Sequence, residues 1–528
     1  MHTQDDLFLR LEQLNDIGAS LSSERNIKLL LEKIVIAAKQ ITRADGGTLY
    51  LLSDDKSHLH FEIVRTDSLN LAFGGSGGQL VSGKFPDLPL YIGDGTPNDR
   101  MVAAYAAIAG KTVNIADAYC AEGFDFSGTR EFDARTGYRS QSFLTVPMKD
   151  HEGEVIGVLQ LINALSPTDG AVSAFSQADQ RLAESLASQA AIVLSNRQLV
   201  EQLEALFESF VKLINLAIDE KSPYTGGHCQ RVPELTMMLA EAADATREGP
   251  LADFKLTDQD RYELRIAALL HDCGKVTTPV HIVDKATKLQ TIYDRIDLID
   301  MRFEVVKRDA EVRKWKSIAE GVDPAEAERE CFDFCQKMSV DRGILHRANI
   351  GCENMRDEDI AHVRRIATEY RWRNADGEDV PFLSEDELEN LTIRSGTLTH
   401  AERDIINHHI VATIKMLEQL PWPRHLKNVP EYAGGHHERM DGKGYPRGLK
   451  REDMSWQARI MGIADIFEAL TAKDRPYKEG MKLSEALAVL EGFSLNSHID
   501  PALYEVFISR EVYRRYASAF LKNNQVDC

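Results

Sequence analysis

The 528 residues read as a multidomain protein: an α+β domain with an antiparallel sheet and flanking helices, then a long linking helix, then an all-α domain. Three observations predict this. Apolar residues alternate, or run in strand-length blocks, in the first third of the chain. The stretch from Leu182 to Ala217 contains neither Gly nor Pro. Beyond residue 220 apolar residues recur every three to four positions. A chain this long exceeds what a single hydrophobic core usually serves, so the boundaries are drawn at 1–175, 176–218 and 206–520, with an insertion at 291–396.

Taken in order, residues 5 to 42 carry helical spacing (Leu11, Leu14, then Leu30, Ile34, Ile41). GTLYLL and HLHFEIVRT then alternate or run apolar as strands do, and SFLTVPMKD and EVIGVLQLIN flank the turn residues His151 to Gly153 as a second hairpin. In the linking helix Val200, Leu203, Phe207, Phe210, Ile214 and Ala217 alternate spacings of three and four, which predicts a parallel two-stranded coil and hence a homodimer. The plain alternative is a helix packed on its own domain. YELRIAALLHDCGK, ERDIINHHIVATIKMLEQL, WQARIMGIADIFEALTA and SEALAVLEGF supply the all-α part. The charged insertion between them is expected to be helical over Cys331 to Met338 and Ile360 to Tyr370, without recognisable chemistry.

A formal charge of -21, from 83 acidic and 62 basic side chains, argues against a broad grip on DNA or anionic lipid. Any phosphate-bearing ligand is therefore small and locally bound. Seven cysteines without a CxxC pair fit a reducing compartment. No apolar run reaches the roughly 18 residues that a membrane span needs, and the N-terminus lacks a secretion signal, so a cytoplasmic protein with no membrane span is expected.

Histidine is unevenly distributed: of 16, only His2, His58, His60 and His151 precede residue 220. In the second half stand His228, the His271-Asp272 pair, His409 beside His408, the His436-His437 pair, and Asp465 within IMGIADIFEAL. Histidine and carboxylate are the donors that Mn, Fe and Zn accept, and a carboxylate can bridge two ions. Singly, a histidine at a Gly-Gly turn or a His-Asp dipeptide is more often a cap or a surface group. Asp465 is the more informative residue, because an uncompensated carboxylate inside an apolar helix is costly to bury.

Two resemblances organise these residues. NIADAY, FDARTGYRSQSFLTVPMKD and GVLQLIN make the first domain resemble a GAF domain, a small-molecule sensor and dimerisation module. Asn163, Phe175 and Asp179 match a nucleotide-binding signature of some GAF domains, but Ala164 and Gln180 replace its Lys and Glu, so the Lys-Asp pairing is lost and the ligand stays open. HDCGK, TPVHIVDKATKL, HHERMDGKGYPRGL, ADIFEALTA and DRPYK make the remainder resemble the HD-GYP phosphodiesterases, which degrade cyclic di-GMP.

That second resemblance implies a basic metal set of His228, His271, Asp272 and Asp465, with Asp272 bridging to a second ion held by His409, His436 and His437. Two divalent ions, Fe or Mn, are implied; Asp219 falls where some members place a third-ion glutamate. Adjacent helical positions point about 100° apart, so His409 is preferred and His408 left out. Such ions hold a nucleophile and neutralise phosphate oxygens. Lys275 would add positive charge at the scissile phosphate, and Gly444, Tyr445, Pro446, Arg475 and Lys478 would line the substrate cleft. The implied reaction yields pGpG and perhaps GMP; hydrolysis of 3'3'-cGAMP, or silent binding of a cyclic dinucleotide, are the alternatives.

Overall fold

Apolar strands buried on both faces build the N-terminal sheet, and long-range pairing closes it. The computed structural model describes all residues except 1, 25, 80–83, 94, 222–226, 353 and 473–479. Two compact units divide between Leu206 and Phe207. In the first, strands run antiparallel in the order Leu71–Phe73, His58–Thr66, Ala44–Leu52, Val155–Leu165, Phe143–Lys149, Val113–Ile115. Both hairpins expected from the sequence are present, and the pairing of Leu49 with Leu159 joins them.

One sheet face (Leu49, Ile63, Leu144, Val146, Leu159, Leu161) packs on the helix Ile27–Thr42 and on Leu182, Leu186 and Leu194 at the start of the helix Gln177–Lys221. The opposite face presents Tyr50 and Val158 to the alanine-rich helix Val102–Ala109. The unit is thus an α+β domain, as the patterning predicts. The signature residues have structural partners: Asn163 Oδ1 accepts from Gln141 N at 2.7 Å, and Asp179 accepts from Ser176 N at 2.8 Å and is ion-paired with Arg10. Arg10, far away in sequence, supplies Asp179 with a cation in the absence of a lysine at Ala164.

The second unit is helical. Val211, Val232, Leu239, Leu264, Ile463, Phe467, Leu503 and Phe507 belong to one continuous core. The insertion has a separate core around Phe303, Leu345, Val363, Phe382 and Leu391, formed by the helices Ile296–Ala319, Pro324–Asn349, Asp357–Glu369 and Glu385–Leu391. It also contains a small hairpin, Arg371–Arg373 with Asp379–Pro381, where the sequence pattern predicts helix only. Its three-residue strands are too short and too charged to show a period, and the turn Asn374 to Gly377 is what creates them.

Two buried lysines of DKATKL hold the insertion in place. Lys285 Nζ meets Asn390 Oδ1 at 2.8 Å and Glu402 at 2.7 Å, while Lys288 Nζ donates to the Ile393 carbonyl at 2.7 Å. Glu402 is also the third residue of the capping box that Thr399 opens for the helix His400–Glu418. No helix among the described residues is long and apolar enough to cross a membrane.

Candidate metal centre and adjoining cleft

Five separate segments of the second unit deliver side chains to one buried point. His228 is the first residue of the helix His228–Asp244. His271 ends the helix Asp258–Leu270, and Asp272 begins the 3-10 turn Cys273–Thr277. His409 lies within His400–Glu418, His436 and His437 directly follow the short helix Val429–Gly434, and Asp465 is central in Trp456–Thr471. The packing of these elements converges there because the apolar faces that form the core leave their polar interruptions on one side.

Asp272 is the hub. Its Oδ2 lies 3.1 Å from His228 Nε2 and 3.2 Å from His271 Nε2, while its Oδ1 lies 3.2 Å from His409 Nε2. Asp465 Oδ1 approaches His228 Nε2 at 3.3 Å. His437 Nε2 stands 3.2 Å from His409 Nε2. Among the described residues two donor groups result: His228, His271 and Asp272, and Asp272, His409, His436 and His437. His408, by contrast, is exposed.

The tautomers follow from the second nitrogen of each ring. His271, His409 and His436 each donate Nδ1–H to a backbone carbonyl three residues earlier, at Ala268 (2.7 Å), Ile406 (2.6 Å) and Ala433 (2.7 Å). Their Nε2 atoms therefore carry lone pairs, turned toward one another and toward carboxylates. The buried Nε2 of His436 and Oδ1 of Asp272 have no hydrogen-bond partner among the described residues. Converging lone pairs and orphaned buried acceptors are what a divalent cation satisfies, so the donor set fits metal.

His228 is oriented differently. Its Nδ1 faces Glu468 Oε2, and Glu468 Oε1 accepts from Arg231 Nε at 2.7 Å. Glu468 sits one turn after Asp465, fully buried, and its role was missed in the sequence, where it reads as one more helix-face acid. The signal was its three-residue offset from Asp465, which puts both carboxylates on one helix face.

Burial opposes the charge on Asp272 and Asp465, yet Lys275 beside the first and the hydrogen bond of His228 to the second hold both well below the carboxylate range. Burial and the neighbouring His409 push His437 down to about 4, so its ring is neutral and able to bind metal. Lys275 Nζ stands 2.5 Å from Asp272 Oδ2. Although burial disfavours its charge, Asp272 and Asp465 keep it above the lysine range. Asp219 lies outside both donor groups; among the described residues its buried Oδ1 has no hydrogen-bond partner, and burial raises its carboxyl against the opposing effect of Gly227 N–H and His228.

Beside the centre opens a cleft of about 470 Å³, lined by His436, His437, Gly444, Tyr445 and Asp465 among others. The Tyr445 ring stacks on His437 with centroids 4.8 Å apart. Gly444 is obligatory: a Cβ there would lie 2.4 Å from Arg439 N and 2.5 Å from Glu438 Cα. Glu438 holds the loop from inside, accepting from Arg447 N at 2.7 Å and Leu449 N at 2.9 Å. Pro446 follows Tyr445 in the same loop, while Arg475 and Lys478 lie outside the described residues.

Family models match the chain as a GAF domain over residues 26–194 and as an HD domain over 225–330 and again over 348–503. The two HD matches contribute to one site, since His228, His271 and Asp272 come from the first and His409, His436, His437 and Asp465 from the second. Relatives include the "3'3'-cGAMP-specific phosphodiesterase 3" of Vibrio cholerae, 26% identical over 57% of this chain and 38% of its own length. A "Probable cyclic di-GMP phosphodiesterase" of Vibrio cholerae is 38% identical over 23% of this chain and 29% of its own. The "Cyclic di-GMP phosphodiesterase" of Thermotoga maritima is 35% identical over 24% of this chain and 35% of its own. The chain spans between 29% and 38% of the lengths of these three relatives. It carries a GAF domain followed by HD-family segments.

Proposed function

We propose that this chain, a GAF domain joined to a metal-binding HD domain, is a phosphodiesterase that hydrolyses cyclic di-GMP to pGpG, and further to GMP, under control of the GAF domain. The observation that carries the reading is Asp272, one buried carboxylate whose two oxygens face histidine nitrogens of two different groups. His228, His271, Asp272 and Asp465 would hold one divalent ion, and Asp272, His409, His436 and His437 the other; Fe or Mn suits such nitrogen and carboxylate donors. Asp219 would serve only a third ion. Bound together, two ions supply an activated water and neutralise phosphate oxygens.

The chain's own side chains do the rest. Asp272 keeps both donor groups in register, and Lys275 adds a positive charge for the phosphate. Tyr445, supported from beneath by His437, offers a ring to a purine base in the cleft, with Gly444 and Pro446 shaping its loop and Arg475 and Lys478 adding cations. A second reading, 3'3'-cGAMP as substrate, is favoured by the first relative named above, which carries that activity in its name and matches 301 residues.

The helix Gln177–Lys221 would join two copies as a parallel coil and pass on the state of a small ligand in the GAF domain. Val200, Leu203, Phe210 and Ile214 of the seam read from sequence are exposed, as are Leu199, Leu206 and Leu213 beside them, while Val211 and Ile218 are buried. Phe207, counted in the same seam, packs on Trp422 of its own unit with ring centroids 6.1 Å apart.

Metal analysis of anaerobically purified protein, combined with a product assay on cyclic di-GMP and 3'3'-cGAMP, tests the reading. Asp272→Ala should abolish hydrolysis and lower metal content together. Full activity in that variant would refute the role given to Asp272, and turnover of 3'3'-cGAMP alone would favour the second reading.

A further inference from the structure

The cleft contains a cation that the metal reading leaves without a task. Arg439 lines the cleft next to Tyr445, and its backbone nitrogen is the atom against which Gly444 is pressed. Its guanidinium is held side-on by Asp441, through Nε to Oδ1 at 3.1 Å and Nη2 to Oδ2 at 2.9 Å. That pair fixes the orientation of the fork, and Nη1 takes no part in it. Arginine presenting an end-on edge to a purine makes the two-point contact with guanine O6 and N7, whereas adenine offers a donor at N6 and repels it.

We infer that Arg439 is the specificity-determining residue of the cleft, reading the O6 and N7 edge of a guanine base that lies on Tyr445, with Asp441 as its positioning partner. The inference rests on the phosphodiesterase reading for its substrate, but base selection itself needs only the cleft. His498 lines the same cleft; burial and the charge of Arg439 push it below its ordinary value, so the facing ring adds no competing cation.

The test uses GMP and AMP as probes, titrated calorimetrically into the full-length protein, with Arg439→Met, Arg439→Lys and the unaltered chain compared. A two-point contact predicts that the unaltered chain binds GMP about 5- to 150-fold more tightly than AMP. Arg439→Met should bring that ratio close to one with AMP binding little changed. Arg439→Lys, which keeps the charge and loses the fork, should also lose the ratio and guards against a folding artefact, both variants being checked by thermal melting. Equal weakening of GMP and AMP would mean a phosphate contact and overturn the inference, as would an unaltered chain that does not discriminate or a ratio unchanged in both variants. Hydrolysis of cyclic dinucleotides is scored separately: its absence in the unaltered chain sinks the phosphodiesterase reading while the GMP to AMP ratio still decides the role of Arg439.

Discussion

Replacing Gly274 by alanine should disable the centre without touching a donor. A Cβ at Gly274 would stand 2.0 Å from the His409 carbonyl oxygen, 2.5 Å from Thr413 N and 2.7 Å from Thr413 Oγ1. Two of these are backbone atoms in the middle of the helix His400–Glu418, so no side-chain rotation relieves the overlap. Restoring an ordinary 3.4 Å contact from 2.0 Å moves the helix away from the turn by about 1.4 Å. The same movement stretches the 2.9 Å hydrogen bond from Gly274 N to Thr413 Oγ1 and the 3.2 Å approach of His409 to Asp272. A misplacement of about 1 Å at a reacting centre costs on the order of 100-fold in rate. Overpacking of this kind costs about 1–3 kcal/mol of stability, which a core of this size survives. Gly274→Ala is therefore expected to remain folded by circular dichroism, to lose metal from the group containing His409, and to lose about 100-fold in turnover. Retention of full metal content and full turnover would refute the idea that Gly274 sets the distance between Asp272 and His409.

Other consequences are as direct. Glu468→Ala removes the partner of His228 Nδ1 and should weaken metal affinity about 10- to 100-fold, read by competition with a chelator; unchanged affinity would count against it. Phe210→Asp should reduce the mass seen by light scattering to that of a single copy, whereas a mass unaffected by it would exclude the proposed seam. For Glu387, burial favours the neutral form but the Arg302 ion pair outweighs it, so its folded carboxyl sits below 4.5. A depressed carboxyl contributes stability above its unfolded value, and that contribution disappears as pH falls through the folded one. Glu387→Gln should therefore cost about 3 kcal/mol at pH 7 in urea melts. The deficit should shrink below pH 4.5, and an equal deficit at pH 7 and in acid would contradict this.

Much of the fold was legible because its signals are local. Short apolar runs in GTLYLL and SFLTVPMKD, bounded by turn residues, specified hairpins, and three-to-four spacing specified the helices that follow. The insertion hairpin at Arg371–Arg373 was not legible, because a turn rather than an apolar period makes it. The choice of His409 over His408 needed only the angular step of a helix, and the structure has the first buried beside Asp272 and the second exposed. Phe207 shows the opposite case: the heptad pattern cannot tell whether an apolar residue meets a second copy or, as here, Trp422 of its own unit.

By itself, then, the sequence determined which residues could bind metal and which helices and strands carry them, because donor type and hydrophobic period are properties of short segments. Only the tertiary structure decided that Asp272 turns one oxygen to His228 and His271 and the other to His409, that Glu468 and three backbone carbonyls set the imidazole tautomers, and that Gly274 and Gly444 are needed for contact. The contacts of His409 with Asp272, of Glu468 with His228 and of Gly274 with the His409 backbone join atoms more than a hundred residues apart. No periodicity encodes such distances; they arise when separate apolar faces are buried in one core and carry their polar interruptions to the same point.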